Sequence, residues 1–359
     1  MLETLAGFSA PDAPMASAFA LCFPGRLRDR LEAAGAVVHD IGQVQVRRPD
    51  RLWKARRALG AVMAAQRYDV AIVHSSWSQA LFGPTIQIAG TPLVRWLHAP
   101  DPGPAWLERW AARSPPALAL YNSAYTRDGA RARFAGVPSA VQYPMASWPV
   151  PGGGATRDDV RARLGASARS VVIAMAARLE PWKGHRLLID ALARLPATTW
   201  QAWIIGGAQR PSEQTYLSEL QTAAAAAGLG DRVHFLGQRD DVQALLAAAD
   251  IYCQPNAGAE PFGLSFVEAL AAGLPVVTTR LGAAGEVVTD GCGLLVEPGS
   301  VADLTAALAG LVDDGARRRA LGDAGRRRAA SFCDLPASIA RLAGTLRTAS
   351  PSITQQLSA

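Results

Sequence analysis

Two carboxylates, Glu260 and Glu268, bracket the run Pro261-Phe262-Gly263-Leu264-Ser265, where a Gly/Pro-rich loop turns into a helix. The helix is expected over Phe266 to Ala272, closed by Gly273 and Pro275. The N–H groups of Gly263, Leu264 and Ser265 then lie unpaired at its positive end, where phosphate binds well. Carboxylates accept from hydroxyls, whereas helix dipoles and cations hold a diphosphate, so a ligand carrying both groups fits the stretch. Ser265 followed three residues later by Glu268 is also a capping box, which accounts for Glu268 with no ligand. Glu260 falls outside that explanation, because the Pro-Phe-Gly spacer turns it elsewhere.

A second group of chemically able residues is Arg178-Leu179-Glu180-Pro181-Trp182-Lys183-Gly184-His185, which leaves the carboxyl end of an expected strand just as a helix begins. Arg178 offers a planar fork for two oxygens. Lys183 is a point charge near a helix start, unfavourable to the dipole unless an anion is bound. The plain alternative is a surface ion pair from Arg178 or Lys183 to Glu180, worth no more than about 1 kcal/mol.

The elements that must position these residues alternate strand and helix throughout. Short apolar runs at 19–23, 36–41, 69–74, 92–98, 117–121 and 140–143 are separated by helical stretches, as in a mainly parallel sheet covered on both faces. A Pro- and Gly-rich stretch from Tyr143 to Gly154 reads as a linker. The pattern then restarts with strands at 170–177, 200–206, 232–236, 249–254, 274–279 and 293–296, and helices at 183–195, 216–227, 240–248, 301–312 and 316–331. Two doubly wound α/β domains follow, with ligands expected outside the carboxyl ends of the strands and a cleft between the domains. The expected boundaries are 1–148, 149–332, a final helix 333–349 and a disordered tail 350–359.

Composition narrows the class. The 359 residues are half hydrophobic, too many for one average core. The four cysteines, Cys22, Cys253, Cys292 and Cys333, are scattered without a Cys-x-x-Cys pair, which suggests neither a zinc site nor a disulfide framework. No apolar run reaches the roughly 18 to 20 residues of a membrane span, and the N-terminus lacks the order of a secretory signal, so the expected location is the cytoplasm. Residues 1–150 carry 16 Lys/Arg against 10 Asp/Glu, which puts the whole net charge of +6 in the first half. Within it, residues 47–57 hold six cations and one acid, with Pro49 suited to the first turn of a helix running to about Gln66. Such a helix with an exposed Trp53 touches an anionic membrane at the inner face; a solvated helix with Trp53 in the core explains it as well. Nucleic acid is not indicated, since no aromatic-interleaved basic strand accompanies the patch.

Taken in order, Ala177 to Gly184, then Phe235-Leu236-Gly237, then Glu260-Pro261-Phe262-Gly263 with Glu268-Ala269 and Ala272-Gly273-Leu274-Pro275-Val276-Val277 resemble the retaining glycosyltransferases of family 4, which have the GT-B architecture. The resemblance covers nearly all of residues 68–345. It implies that the first domain binds the acceptor and the second a nucleotide-diphosphate-sugar, with no cofactor and no essential divalent metal; the basic first half suits an anionic or lipid-linked acceptor, such as a cell-envelope or capsule glycan precursor. Arg178 and Lys183 would bind the donor diphosphate and stabilise the leaving group. Glu268 would accept from the ribose, and Glu260, with the backbone at Phe262, Gly263 and Leu264, would hold the sugar and the β-phosphate. Arg239 and Asp241 lie where the family contacts the nucleobase, and His98 matches a cleft histidine facing the sugar. Retention would proceed by a front-side path in which the departing phosphate takes the acceptor proton, with Glu260 orienting the sugar. The last helix would cross back onto the first domain, with hinges near 144–152 and 331–334 that close on the donor.

The start of the chain departs from that pattern. Family members open with a buried strand and a Gly-Gly loop before the strand that Phe19 to Phe23 represents, whereas Met1 to Phe8 reads as the helix that follows them. The first strand and its glycine loop are therefore expected to be missing, leaving two unpaired edges in the first sheet. Two other functions fit such a chain: a nucleotide-sugar-binding pseudoenzyme, and a nucleotide-sugar epimerase of similar architecture.

Overall fold

A computed structural model describes residues 2–6, 13–100, 103–145, 156–196 and 200–350. The chain divides into two compact units, one of Met1–Met145 with Asp334–Ala359 and one of Ala146–Cys333. Most of the Pro/Gly-rich linker expected over 143–154 and most of the expected tail fall outside the described residues.

The first unit contains α1 (Leu2–Ala6), β1 (Ala18–Leu21), α2 (Arg26–Ala33), β2 (Val37–Asp40), α3 (Pro49–Ala65), β3 (Ala71–Val73), α4 (Ser76–Ile88), β4 (Leu93–Leu97), α5 (Ala105–Ala111), β5 (Leu118–Tyr121), α6 (Ala124–Ala130) and β6 (Ser139–Val141). The second contains α7 (Arg157–Arg163), β7 (Val171–Ala176), α8 (His185–Leu192), β8 (Trp200–Ile205), α9 (Pro211–Ala226), β9 (Val233–Gly237), α10 (Val242–Ala248), β10 (Ile251–Gln254), α11 (Leu264–Ala271), β11 (Val276–Thr279), α12 (Ala284–Val287), β12 (Gly293–Val296), α13 (Val301–Asp313) and α14 (Gly315–Cys333). A last helix, α15 (Leu335–Arg347), belongs to the first unit. Every strand pair among the described residues is parallel, which bears out the expected α/β class.

Side-chain alternation builds the core of the second unit. Its sheet runs β12-β11-β10-β7-β8-β9. Along β7, Val171, Ile173 and Met175 face a core shared with α8, α9 and α13, while Val172 and Ala174 face one shared with α10, α11 and α14. Both faces are covered, so the strand reads as one apolar run. Polar side chains start several helices. Thr156 and Asp159 form a capping box on α7, and Ser300 and Asp334 each accept an N–H at the start of α13 and α15.

The first unit does not close into one sheet. β3-β4-β5-β6 form four strands, and β1 pairs only with β2. β1 and β3 each keep one edge with no strand partner among the described residues, and both are more exposed than the fully buried β4 and β5. One face of this unit is covered by α3, α4 and α5. On the other, α15 places Ile339, Leu342 and Leu346 against Val94, Trp96, Leu118 and Leu120.

Several expected boundaries move. α11 starts at Leu264, two residues before the expected Phe266, so Ser265 lies inside the helix and Gly263 is its N-cap with no side-chain bond. The expected capping box therefore does not form. α9 starts at Pro211 instead of Tyr216, with the proline in the first turn, where its missing N–H has no cost. Trp53 is 59% exposed, which removes the alternative that it turns into the core.

Candidate functional site

β7 and β10 are neighbours, with Ile251 level with Ile173 and Tyr252 level with Ala174, so the loops after them leave the sheet side by side. After β7 the chain passes Arg178 and makes a 3-10 turn at Pro181–Lys183. It then bends at Gly184, whose φ of 83° and whose contact with the Pro255 main chain leave no room for a Cβ. That bend sets Lys183 beside the second loop. After β10, Glu260 is pinned by a parallel bridge to Gly282 and by the Ala283 N–H, which donates to its carbonyl at 2.8 Å. Gly263, at φ 96° with the Phe266 ring packed where a Cβ would stand, then opens α11.

Glu260 is the centre of the polar network. It is buried, and its Oε2 accepts from Lys183 Nζ at 2.8 Å, Asn256 Nδ2 at 3.2 Å and Gln254 Nε2 at 3.3 Å. Gln254 is itself held, since its Oε1 accepts from Tyr252 at 2.7 Å and from Ser265 Oγ at 3.1 Å. One carboxylate oxygen thus has three donors, while Oε1 has none among the described residues. Lys183 also lies 3.9 Å over the Trp182 ring. Nearby, the Gly263, Leu264 and Ser265 N–H groups take no acceptor among the described residues, which leaves the positive end of α11 open.

Arg178 does form the ion pair anticipated as the plain alternative, to Glu180 Oε1 at 2.8 Å, and Trp182 Nε1 donates to the other oxygen at 2.9 Å. With the Arg178 side chain 64% exposed, that pair is worth at most about 1 kcal/mol. A bidentate bond to a diphosphate outweighs it. Lys183 pairs with Glu260 instead of Glu180. Glu268 stands half-buried on α11, its carboxylate without a hydrogen-bond partner among the described residues, and burial pushes its pKa up. Hydroxyl donors would relieve it.

The remaining expected residues are placed less compactly. Arg239 and Asp241 bind each other at 2.8 and 2.7 Å in the loop after β9, the edge strand two positions from β7. Phe262 is buried, edge-on to Phe332 at 5.7 Å, so its side chain serves packing. Leu264 is exposed beside the open helix start. His98 belongs to the first unit, where its Nε2 lies 2.9 Å from His74 Nδ1. Burial lowers the pKa of both rings, that of His74 to about 4, so both are neutral near pH 7.

Four members of these networks were not anticipated: His74, Tyr252, Gln254 and Asn256. His74 ends β3 as His98 ends β4, a parallel that was available in the sequence. The amides of Gln254 and Asn256 give no charge signal, and their partner arrives from another loop. Among the described residues no three His, Cys, Asp or Glu side chains gather as a metal-ligand set.

Residues 156–328 match the family described as glycosyl transferases group 1. The chain is 34% identical over 302 residues to the MMP alpha-(1->4)-mannosyltransferase of Mycolicibacterium hassiacum, covering 75% of this chain and 68% of that one. It is 32% identical to the D-inositol 3-phosphate glycosyltransferase of Xylanimonas cellulosilytica, covering 72% of this chain and 62% of the relative's length. The crystal structure of Anabaena HepE in complex with UDP superposes with a TM-score of 0.82 at 26% identity, covering 97% of this chain and 96% of that chain. HepE has also been crystallised with UDP-glucose, with a TM-score of 0.81. WaaG, a glycosyltransferase involved in lipopolysaccharide biosynthesis, shares the fold at a TM-score of 0.63 and 20% identity.

Proposed function

The chain belongs to the group 1 glycosyl transferases, a family of GT-B enzymes, and from that premise we propose that it is a retaining, metal-independent transferase of a sugar from a nucleoside diphosphate to a glycan or lipid-linked acceptor. The observation that carries this reading is the Lys183–Glu260 pair, joined through Gln254 to Ser265 in the open first turn of α11, at the carboxyl ends of β7 and β10. Positive groups and a hydroxyl acceptor meet there within one unit.

In this reading the diphosphate lies on the Gly263, Leu264 and Ser265 N–H groups, with Arg178 and Lys183 neutralising the charge that grows as the sugar leaves. Glu260 uses its open oxygen to orient the sugar, and Glu268 accepts from the ribose. Arg239 and Asp241 meet the base, and His98 meets the sugar. The C1–phosphate bond breaks, the acceptor oxygen bonds to C1 on the same face, and its proton passes to the departing phosphate oxygen. Protein cations supply the charge stabilisation, so no cofactor is invoked. HepE's complexes with UDP and UDP-glucose support a nucleotide-sugar donor. The relatives named as transferases favour neither the pseudoenzyme nor the epimerase.

We place the protein in the cytoplasm, in polysaccharide biosynthesis, with residues 47–57 touching an anionic membrane. No helix among the described residues is long and apolar enough to cross one. A thermal-shift screen of UDP- and GDP-sugars tests the donor. The cognate donor at about 100 times its dissociation constant stabilises by about 2.7 kcal/mol. Arg178→Ala and Glu268→Ala are expected to shrink that shift; retention of the full shift in both variants would refute the proposed pocket. Turnover that required no acceptor and returned an epimerised donor would favour the epimerase.

A further inference from the structure

We infer that the whole α3–α5 layer of the first unit docks on an anionic lipid surface, with α5 as a principal contact. This rests on the membrane contact assigned to residues 47–57 and extends it to a second helix. Apolar exposure is lopsided: of ten large apolar side chains that lie exposed among the described residues, nine belong to the first unit. The net charge of residues 1–150 is equally one-sided. A surface that is both basic and rich in exposed aromatic rings suits the interfacial zone of a bilayer, where indoles sit at the headgroup level and cations meet phosphates.

The layer concentrates these features. α4 lies between α3 and α5, packing on both. Because the strands are parallel, the three helices start at the same end of the sheet. Trp77 and Trp106 fall in the first turn of their helices and Trp53 in the second turn of its own, 39%, 47% and 59% exposed. Trp77 meets Trp106 edge-on at 5.3 Å, and Trp106 stacks near Trp110 at 6.4 Å, so the rings form a continuous strip. Along α5 and just beyond it, Trp106, Arg109, Trp110 and Arg113 recur at helical spacing and line an open groove of about 600 Å³.

Charge selects the occupant. Arg109 and Arg113 have no ion pair among the described residues. The two acids carried by these helices are already engaged. Asp50 pairs with Arg48, and Glu108 accepts from Ser76 Oγ at 2.6 Å and from the Gly103 N–H at 2.8 Å. The outer face is therefore cationic without internal neutralisation, and a sheet of lipid phosphates supplies the missing anions. His98 ends the strand from which α5 follows, so a headgroup held at this rim lies on the acceptor side of the unit.

The test is co-sedimentation of the full chain with vesicles of phosphatidylcholine alone or mixed with phosphatidylglycerol, at low and high salt. Binding is expected only to the mixed vesicles, weakening with salt. Arg109→Gln with Arg113→Gln should lower the partition coefficient roughly 30-fold, from about 1 kcal/mol per cation at the surface. Trp106→Ser should lower it further, with unchanged thermal unfolding and unchanged donor-induced shift in each variant. If Trp53→Ser and Lys54→Gln abolish binding while the α5 variants bind as the parent does, the inference fails and the contact at 47–57 stands. Failure of the parent to bind mixed vesicles overturns both, as does preference for duplex DNA over vesicles with the same arginine dependence. The donor shift, measured alongside, reports on the transferase reading independently.

Discussion

The Lys183–Glu260 pair sits in a pocket where each side chain is nearly closed off from water, so neither charge is comfortable without the other. Lys183→Met is expected to destabilise by about 3–5 kcal/mol in urea unfolding, because it strands a buried carboxylate. Lys183→Met combined with Glu260→Gln should recover part of that loss, and a double variant no better than the single one would contradict the coupling. A second residue-scale effect comes from His74 and His185, whose pKa values burial depresses to about 4. The unfolded chain, with histidines near 6.5, takes up protons first as pH falls, so the stability is complete above about 6.5 and is lost towards about 4. Thermal unfolding followed between about pH 7 and about pH 4.5 should show this slope, flattened in a His185→Leu variant.

At the scale of elements, the glycine that opens α11 is decisive. Gly263→Ala would place a Cβ at positive φ against the Phe266 ring. It should cost about 1–2 kcal/mol and reduce the donor-induced thermal shift more than the loss of stability alone explains. The edges without a strand partner have their own signature. Amides on the unpaired edges of β1 and β3 should exchange hydrogen faster than those of β4 and β5, and equal protection would show that another segment covers them. Much of this architecture was legible. Apolar runs such as 170–177 announced strands buried on both faces, and the cation Lys183 and the carboxylate Glu260, singled out separately in the sequence, meet at 2.8 Å. Ser265 was misleading because a serine three residues before a glutamate reads as a cap, whereas a left-handed glycine two positions earlier begins the helix and frees the hydroxyl for Gln254. The amide network around Glu260 stayed hidden because local sequence says nothing of which loop a neutral side chain will meet.

For the whole molecule, two units with separate cores imply two unfolding events. Calorimetry is expected to resolve them, and the cognate donor should raise most the transition of the unit that holds Arg178, Lys183 and Glu260. A single transition shifted as one would show the units to be coupled. The uneven surface follows the same division, with exposed aromatics and excess cations in one unit and nearly balanced charge in the other.

The route of the chain through these units also orders its birth. Translation delivers the strands of the first unit early but withholds Ile339, Leu342 and Leu346 until the second unit has been made. The unit begun first is therefore finished last, and through most of synthesis Val94, Trp96 and Leu120 wait uncovered on a nascent polypeptide. A cell making this protein must shield that half from its neighbours for longer than the half that follows it.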